Sequence, residues 1–132
     1  SKISKLVKNH KNNCFMTIDY GYYDENFRNT LQALEKHQKV DIFYNPGNVD
    51  ITHLVNFKFI NRIFEKNSLT RTLNMSQSDF LIKYGIQARL KQAKKNLKNK
   101  QDKINLDMSV NRLIDKKQMG NLFKVLLVTN EN

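Results

Sequence analysis

Phe15-Met16-Thr17-Ile18-Asp19-Tyr20-Gly21 is a short apolar, β-prone run that stops at a carboxylate, a phenol and a glycine. In open α/β sheets ligands bind just beyond the carboxyl ends of strands, where polar residues leave the core. Asp19, Tyr20 and Gly21 therefore read as a strand end that opens onto a site. A plain strand end accounts for the same residues, with Asp19 solvated and Gly21 in a turn. The rest of the chain has to decide between the two.

On the N-terminal side, Ile3, Leu6, Val7 and His10 fall at helical spacing, so residues 2–10 are expected to be helical. Lys8 and Lys11 suit the negative pole of that helix. A helix feeding a buried strand is half of a βαβ unit. The strand that should precede it is missing, so the sequence is expected to begin partway through an architecture.

On the C-terminal side, Tyr22, Tyr23, Asp24, Glu25 and Asn26 form a polar loop. Residues 30–34 read as a short strand or a helical turn, and Tyr44-Asn45-Pro46-Gly47-Asn48 as a turn. Asp50 or Thr52 is expected to cap a helix carrying Val55, Phe59, Ile60, Ile63 and Phe64 as an apolar stripe. Asn67 should end it in a left-handed conformation, and 68–74 should be a half-exposed strand. Ser76-Gln77-Ser78-Asp79 opens a long helix with Phe80, Leu81, Tyr84, Ala88, Leu90, Ala93 and Leu97 inside. Lys91, Lys94, Lys95 and Lys98 are among the basic residues on its outer face, a solvated surface or a dock for an acidic partner. Residues 99–107 read as a polar loop, and 115–118 as a capping box before a short helix ending at Gly120. Phe123–Thr129 is apolar on both faces and should lie inside a sheet, paired on both sides.

With 132 residues there is room for one core and one domain. The apolar share of 39% is slightly low, which leaves little core to spare. No run of eighteen apolar residues exists to span a membrane, and residues 1–13 lack the apolar segment of a secretory signal. A single cysteine, Cys14, allows neither an internal disulfide nor a thiolate zinc site; at a strand start it is expected to be buried. His10, His37 and His53 have no metal-ligand spacing, so no metal is expected. The net charge of +11 invites an acidic partner, but the abundance of Asn, Lys and Ile reflects an AT-rich coding bias that places lysines on solvated surface. No basic and aromatic residues interleave into a stacking platform, so nucleic acid is disfavoured.

Several pieces now match one family in order and spacing. They are Ile18-Asp19-Tyr20-Gly21-Tyr22, Thr30-Leu31-Gln32, His37, Val40-Asp41, Pro46-Gly47, Asp50-Ile51-Thr52 and Val55-Asn56-Phe57. Ser76 to Leu81, Gly85-Ile86-Gln87-Ala88-Arg89 and Met119 to Leu126 continue the series. Together they resemble the C-terminal half of the MidA-like, S-adenosylmethionine-dependent methyltransferases. That family includes the mitochondrial protein-arginine methyltransferase that assists assembly of respiratory complex I.

The resemblance implies an α/β architecture: the C-terminal half of a class I methyltransferase, Rossmann-like fold, with three to four strands and an antiparallel closing strand. Residues 1–132 would be a single partial domain. Asp19, Tyr20, Gly21, Tyr22, Pro46, Gly47, Asp50 and Thr52 would rim the substrate side of the cleft, with Asp24 and Glu25 of suitable charge to receive a guanidinium. The family's glycine-rich cofactor loop belongs to its N-terminal half. The four glycines here, at 21, 47, 85 and 120, form no Gly-x-Gly. S-adenosylmethionine is thus the cofactor of the complete enzyme and is not expected to bind this chain alone. The expected partners are that N-terminal half or a protein substrate, in the cytoplasm or, in a eukaryote, the mitochondrial matrix. The alternative is a non-catalytic scaffold that keeps a protein-binding surface. A small nucleic-acid-binding domain ranks third.

Overall fold

The computed structural model describes every residue except His10, Arg71, Glu131 and Asn132. The expectations that His10 ends the first helix and that Arg71 sits in a strand lie outside the described residues.

Helix α1 (Lys2–Lys8) is capped by Ser1, whose hydroxyl accepts the Ser4 N–H. Strand β1 (Cys14–Tyr22) follows, running on through Asp19, Tyr20 and Gly21 to Tyr22 where the sequence suggested that it stops. It alternates: Phe15 and Thr17 are half-buried while Met16 and Ile18 are exposed. Phe15 meets Phe64 with ring centroids 5.4 Å apart. The next strands are β2 (Gln32–Glu35), β3 (Gln38–Val40), β4 (Asp50–Thr52) and β5 (Val55–Asn56). Then come α2 (Phe57–Lys66), β6 (Thr72–Ser76), α3 (Gln77–Lys83), α4 (Ile86–Asn96), α5 (Lys100–Ile114), α6 (Met119–Leu122) and β7 (Phe123–Thr129).

The main sheet has the order β5-β1-β7-β6, and β3-β2-β4 form a second, antiparallel sheet. Strand β7 is antiparallel to β1 along Cys14↔Thr129 to Tyr20↔Phe123, and antiparallel to β6 along Thr72↔Val128 to Ser76↔Lys124. It is thus an antiparallel closing strand paired on both sides, because Val125, Leu126 and Val128 can all be removed from water there. Strand β5 is parallel to β1 but touches it only at Gly21↔Val55 and Tyr22↔Asn56. One face of the sheet packs on α1 and α2 around Val7, Phe57, Phe64, Leu69, Leu126 and Val128. Each such side chain stabilises by about 1.5–3 kcal/mol relative to exposure.

Six local expectations are corrected. Asp50 and Thr52 do not cap a helix; they pair with Leu34 and Gln32 in β4. The cap of α2 is Asn56, whose Oδ1 accepts the Phe59 N–H at 3.0 Å. At the far end of α2, Ser68 and not Asn67 takes the positive φ, at 59°. Asn67 instead donates its side-chain amide to the Ile63 carbonyl. The long helix after Ser76 is two helices, split at Gly85 with φ 86°. The polar loop at 99–107 is the start of α5: Asn99 Oδ1 accepts the Gln101 N–H, and Leu106, Val110 and Leu113 recur at helical spacing. Asp115 opens no helix; its carboxylate accepts from Lys117 and Gln118 in a turn, and Gly120 lies inside α6. Cys14, expected inside, is exposed. Among the described residues no helix is long and apolar enough to cross a membrane.

Candidate functional site

The site begins at the carboxyl end of β1. Asp19 is exposed and turns Oδ1 back to accept the Tyr20 N–H at 2.7 Å. The Tyr20 ring leans on Phe123, centroids 4.1 Å apart. Gly21 is buried, and a Cβ there would stand 2.5 Å from both the Phe57 ring and the Val55 carbonyl oxygen. Space, not a turn, requires glycine here. Tyr22 is buried, its hydroxyl accepts the Arg28 N–H at 2.9 Å, and the Arg28 guanidinium lies 4.8 Å from the ring centroid.

The two acids after the strand already hold cations of this chain. Asp24 binds Arg28 at 2.7 Å; that hydrogen bond, then the Asn26 N–H, keeps its carboxyl below the usual range. Glu25 pairs with Lys58 at 3.2 Å and with Arg62.

Tyr22 lines a hollow of about 410 Å³ with Thr30, Leu31, His53 and Leu54. Pro46 and Gly47 lie in an exposed turn, and Asp50 and Thr52 are exposed on β4 of the second sheet, where Thr52 Oγ1 accepts from Gln32 at 3.2 Å. The eight rim residues are therefore divided: Asp19 to Tyr22 on the main sheet, the other four on the smaller one. Of the four lysines expected on the outer helix face, Lys94 binds Asp107 at 2.6 Å, while Lys91, Lys95 and Lys98 are exposed.

A second hollow, of about 470 Å³, opens at the same end of the sheet, between the first residues of α2 and α3. Its polar lining is Asn74, Ser76, Asp79, Asn121 and Lys124, with Tyr23, Phe57, Met75 and Val125 as apolar walls. Ser76 and Asp79 stood out in the sequence as a helix start, but none of the five was read as a site residue. The signal for Lys124 is a polar residue on the α2-side face of the largely apolar β7, whereas Asn74 lies in β6 between Thr72 and Ser76 and carries no such signal.

Lys124 Nζ donates to the Asn121 carbonyl at 2.6 Å and to Asn121 Oδ1 at 3.1 Å. Burial pushes its ammonium pKa down, and Asp79 partly restores it. A lysine whose folded pKa lies below 10.5 binds fewer protons folded than unfolded in the interval between, so stability rises with pH across it. Lys124→Met is therefore expected to gain most relative to the parent at pH 7, the gap narrowing above pH 10.5. Paired urea melts at the two pH values read this out, and a pH-independent gap would contradict the buried charge.

The family described as "Putative S-adenosyl-L-methionine-dependent methyltransferase" matches residues 1–75, more than half of the chain. The chain belongs to this methyltransferase family. Among curated relatives it is 28% identical over 109 residues to the mitochondrial "Protein arginine methyltransferase NDUFAF7 homolog" of Caenorhabditis elegans, covering 83% of this chain and 25% of the relative. It is 29% identical over 117 residues to the corresponding protein of Xenopus tropicalis, covering 89% and 27%. Two solved structures from Burkholderia thailandensis are similar. One, an uncharacterized protein, has a TM-score of 0.78 and 25% identity over 98% of this chain and 36% of its own. The other, a "likely methyl transferase" bound to S-adenosyl-homocysteine, has a TM-score of 0.71 and 26% identity over 89% and 32%. The chain thus spans about a quarter to a third of the length of these proteins.

Each of the four glycines has a reason within the chain itself. Close approach of backbone to a ligand is one reason for glycine at a strand end. Gly21 and Gly120 are instead filled by the chain's own atoms, Phe57 and Val55 at one, Ile114 at the other. Gly47 and Gly85 sit in turns at φ 89° and 86°. Among the described residues no three His, Cys, Asp or Glu side chains gather as metal ligands.

Proposed function

We propose that this chain is the C-terminal part of an S-adenosylmethionine-dependent protein-arginine methyltransferase, catalytic only when an N-terminal part completes the sheet and supplies the cofactor loop. The observation that carries the reading is the outer edge of β1. Residues 14–20 bond to β7 on one side, and among the described residues no strand pairs with their other edge. On the face away from α2, Met16, Ile18 and Tyr20 are 51%, 41% and 46% exposed. An unpaired edge beside a row of apolar side chains is a template for another strand. The parallel β5, already at Gly21 and Tyr22, sets the direction in which that strand runs.

Methyl transfer depends on holding a sulfonium and a nucleophile in line, so a half-built cleft has little to offer alone. The names of the relatives, mitochondrial protein arginine methyltransferases, support a protein arginine as the acceptor; assembly of respiratory complex I as the setting rests on the family resemblance alone. The second reading, a non-catalytic docking module, is favoured by α4, which has no buried residue and presents Lys91 and Lys95 outward.

Calorimetry of the isolated chain with S-adenosylmethionine is expected to show a Kd no tighter than about 1 mM; micromolar binding would sink the claim that the cradle lies elsewhere. Mixing with an N-terminal part of a family member is expected to restore methylation of an arginine peptide. Ile18→Lys should block that restoration while changing the chain's own stability by less than about 0.5 kcal/mol, because Ile18 is exposed. Restored activity insensitive to Ile18→Lys would remove β1 as the docking edge.

A further inference from the structure

Helices α4 and α5 leave a groove between them of about 610 Å³. Its floor is apolar: Leu81, Ile86, Leu90, Ala93, Leu106 and Val110. Ile86, Leu90 and Ala93 recur at intervals of four and three along α4, and Leu106 and Val110 at four along α5, so each helix gives one stripe. A ligand can reach this floor. Ala93 is exposed, Ile86, Leu90 and Leu106 are half-buried, and α4 has no buried residue. Helix α4 has 11 residues, about 16 Å of length, which leaves space for roughly three turns of a further helix.

Charge decides what covers the groove. Residues 77–117 carry eleven Lys and Arg against four Asp, a net +7 of the chain's +11 in less than a third of its length. A coding bias alone would spread lysines evenly. Lys94 is paired with Asp107 at 2.6 Å. Arg89 on the groove, and Lys91, Lys95 and Lys98 along the same stretch, are exposed, and among the described residues none of the four forms an ion pair.

A second copy of this chain would bring +7 against +7. Nucleic acid would find lysines, but no aromatic ring lines the groove to stack a base. An anionic membrane takes apolar side chains that project from a convex face, and these line a concave one. The N-terminal methyltransferase part is expected at the open edge of β1. Helices α4 and α5 connect β6 to β7, and β6 is the opposite edge of the sheet. The occupant that fits is an amphipathic helix, apolar along one seam and acidic beside it.

We propose that the groove between α4 and α5 docks an acidic amphipathic helix of a partner protein. The inference rests on the docking reading of α4 and holds with or without methyl transfer. Its probe is a fluorescent helical peptide of about four turns, with leucines along one seam and glutamates beside them. Anisotropy with the whole chain is expected to give a Kd of about 10–100 μM at about 50 mM salt, weakening several-fold at about 300 mM as the charges are screened. The same peptide with its leucines scrambled off the seam should bind at least about tenfold more weakly. A version with lysines for glutamates should not bind.

Ala93→Glu places a carboxylate on the groove floor at an exposed helical position, and should weaken the acidic peptide about tenfold or more. Arg89→Glu, also exposed, should do the same, so either variant that folds decides. Gln38→Glu, on exposed β3 in the smaller sheet, makes the same change of charge as Ala93→Glu and should alter binding by less than about twofold. No binding, equal binding of the scrambled peptide, no salt dependence, or indifference to both groove variants overturns the proposal. A dimer in sedimentation that Ala93→Glu dissociates overturns it as well. So do anionic vesicles or single-stranded DNA that bind more tightly than the peptide through the same residues, or displacement of the peptide by an N-terminal part of a family member. If mixing restores methylation but no acidic helix binds, only this dock falls. If the helix binds but no mixture transfers a methyl group, the enzyme reading falls and the dock stands.

Discussion

Gly21→Ala is expected to cost the chain about 3 kcal/mol or more, at the upper end of overpacking penalties. The added methyl would meet two obstacles at 2.5 Å, the Phe57 ring and the Val55 carbonyl oxygen. The ring could rotate away. The carbonyl belongs to the parallel pair that Gly21 makes with Val55, so it can move only if β5 leaves β1. Domains of this size hold about 5–15 kcal/mol in total, so the loss is a large share. Urea unfolding followed by circular dichroism measures it; a variant within 0.5 kcal/mol of the parent would show that β5 is not held as described.

Phe57→Ala is expected to cost about 3–5 kcal/mol, the range for removing a buried phenylalanine. Phe57 is 1% exposed, starts α2 and belongs to the cluster that joins α2 to Leu126 and Val128. It also touches Gly21 and walls the hollow that holds Asn74. The two substitutions should therefore not add. Removing the ring relieves one of the two clashes at residue 21, so Gly21→Ala with Phe57→Ala should cost less than the sum of the singles. Strict additivity would mean that the backbone carbonyl alone sets the penalty at Gly21.

The relation of sequence to structure is clearest where the signal is short-range. The cap at Ser76 was legible because hydroxyl, amide and carboxylate lie within three residues, and the structure closes them at 3.1 and 2.6 Å. The start of β1 and the course of β7 were legible from apolar runs bounded by polar residues. Asp50 and Thr52 carry equally good local cap chemistry, but pairing with Gln32 and Leu34, some twenty residues away, outweighs it and passes the cap to Asn56. Helix α5 escaped because its first turn, Lys100 to Lys103, is wholly polar, and its apolar residues begin only at Ile104.

By itself the sequence determined the family, the α/β class and the strand at Phe15 to Gly21, since order, spacing and periodicity survive in one dimension. Tertiary structure alone decided which side chains share a hollow. Asn74 and Lys124 are fifty residues apart, and only the register of β6 on β7 makes them neighbours. The Asn74 amide is oriented only because Asn61 and Glu65, one turn apart on α2, hold its Nδ2 end. A hydrogen bond depends on distance and direction, and neither exists until the strands are paired.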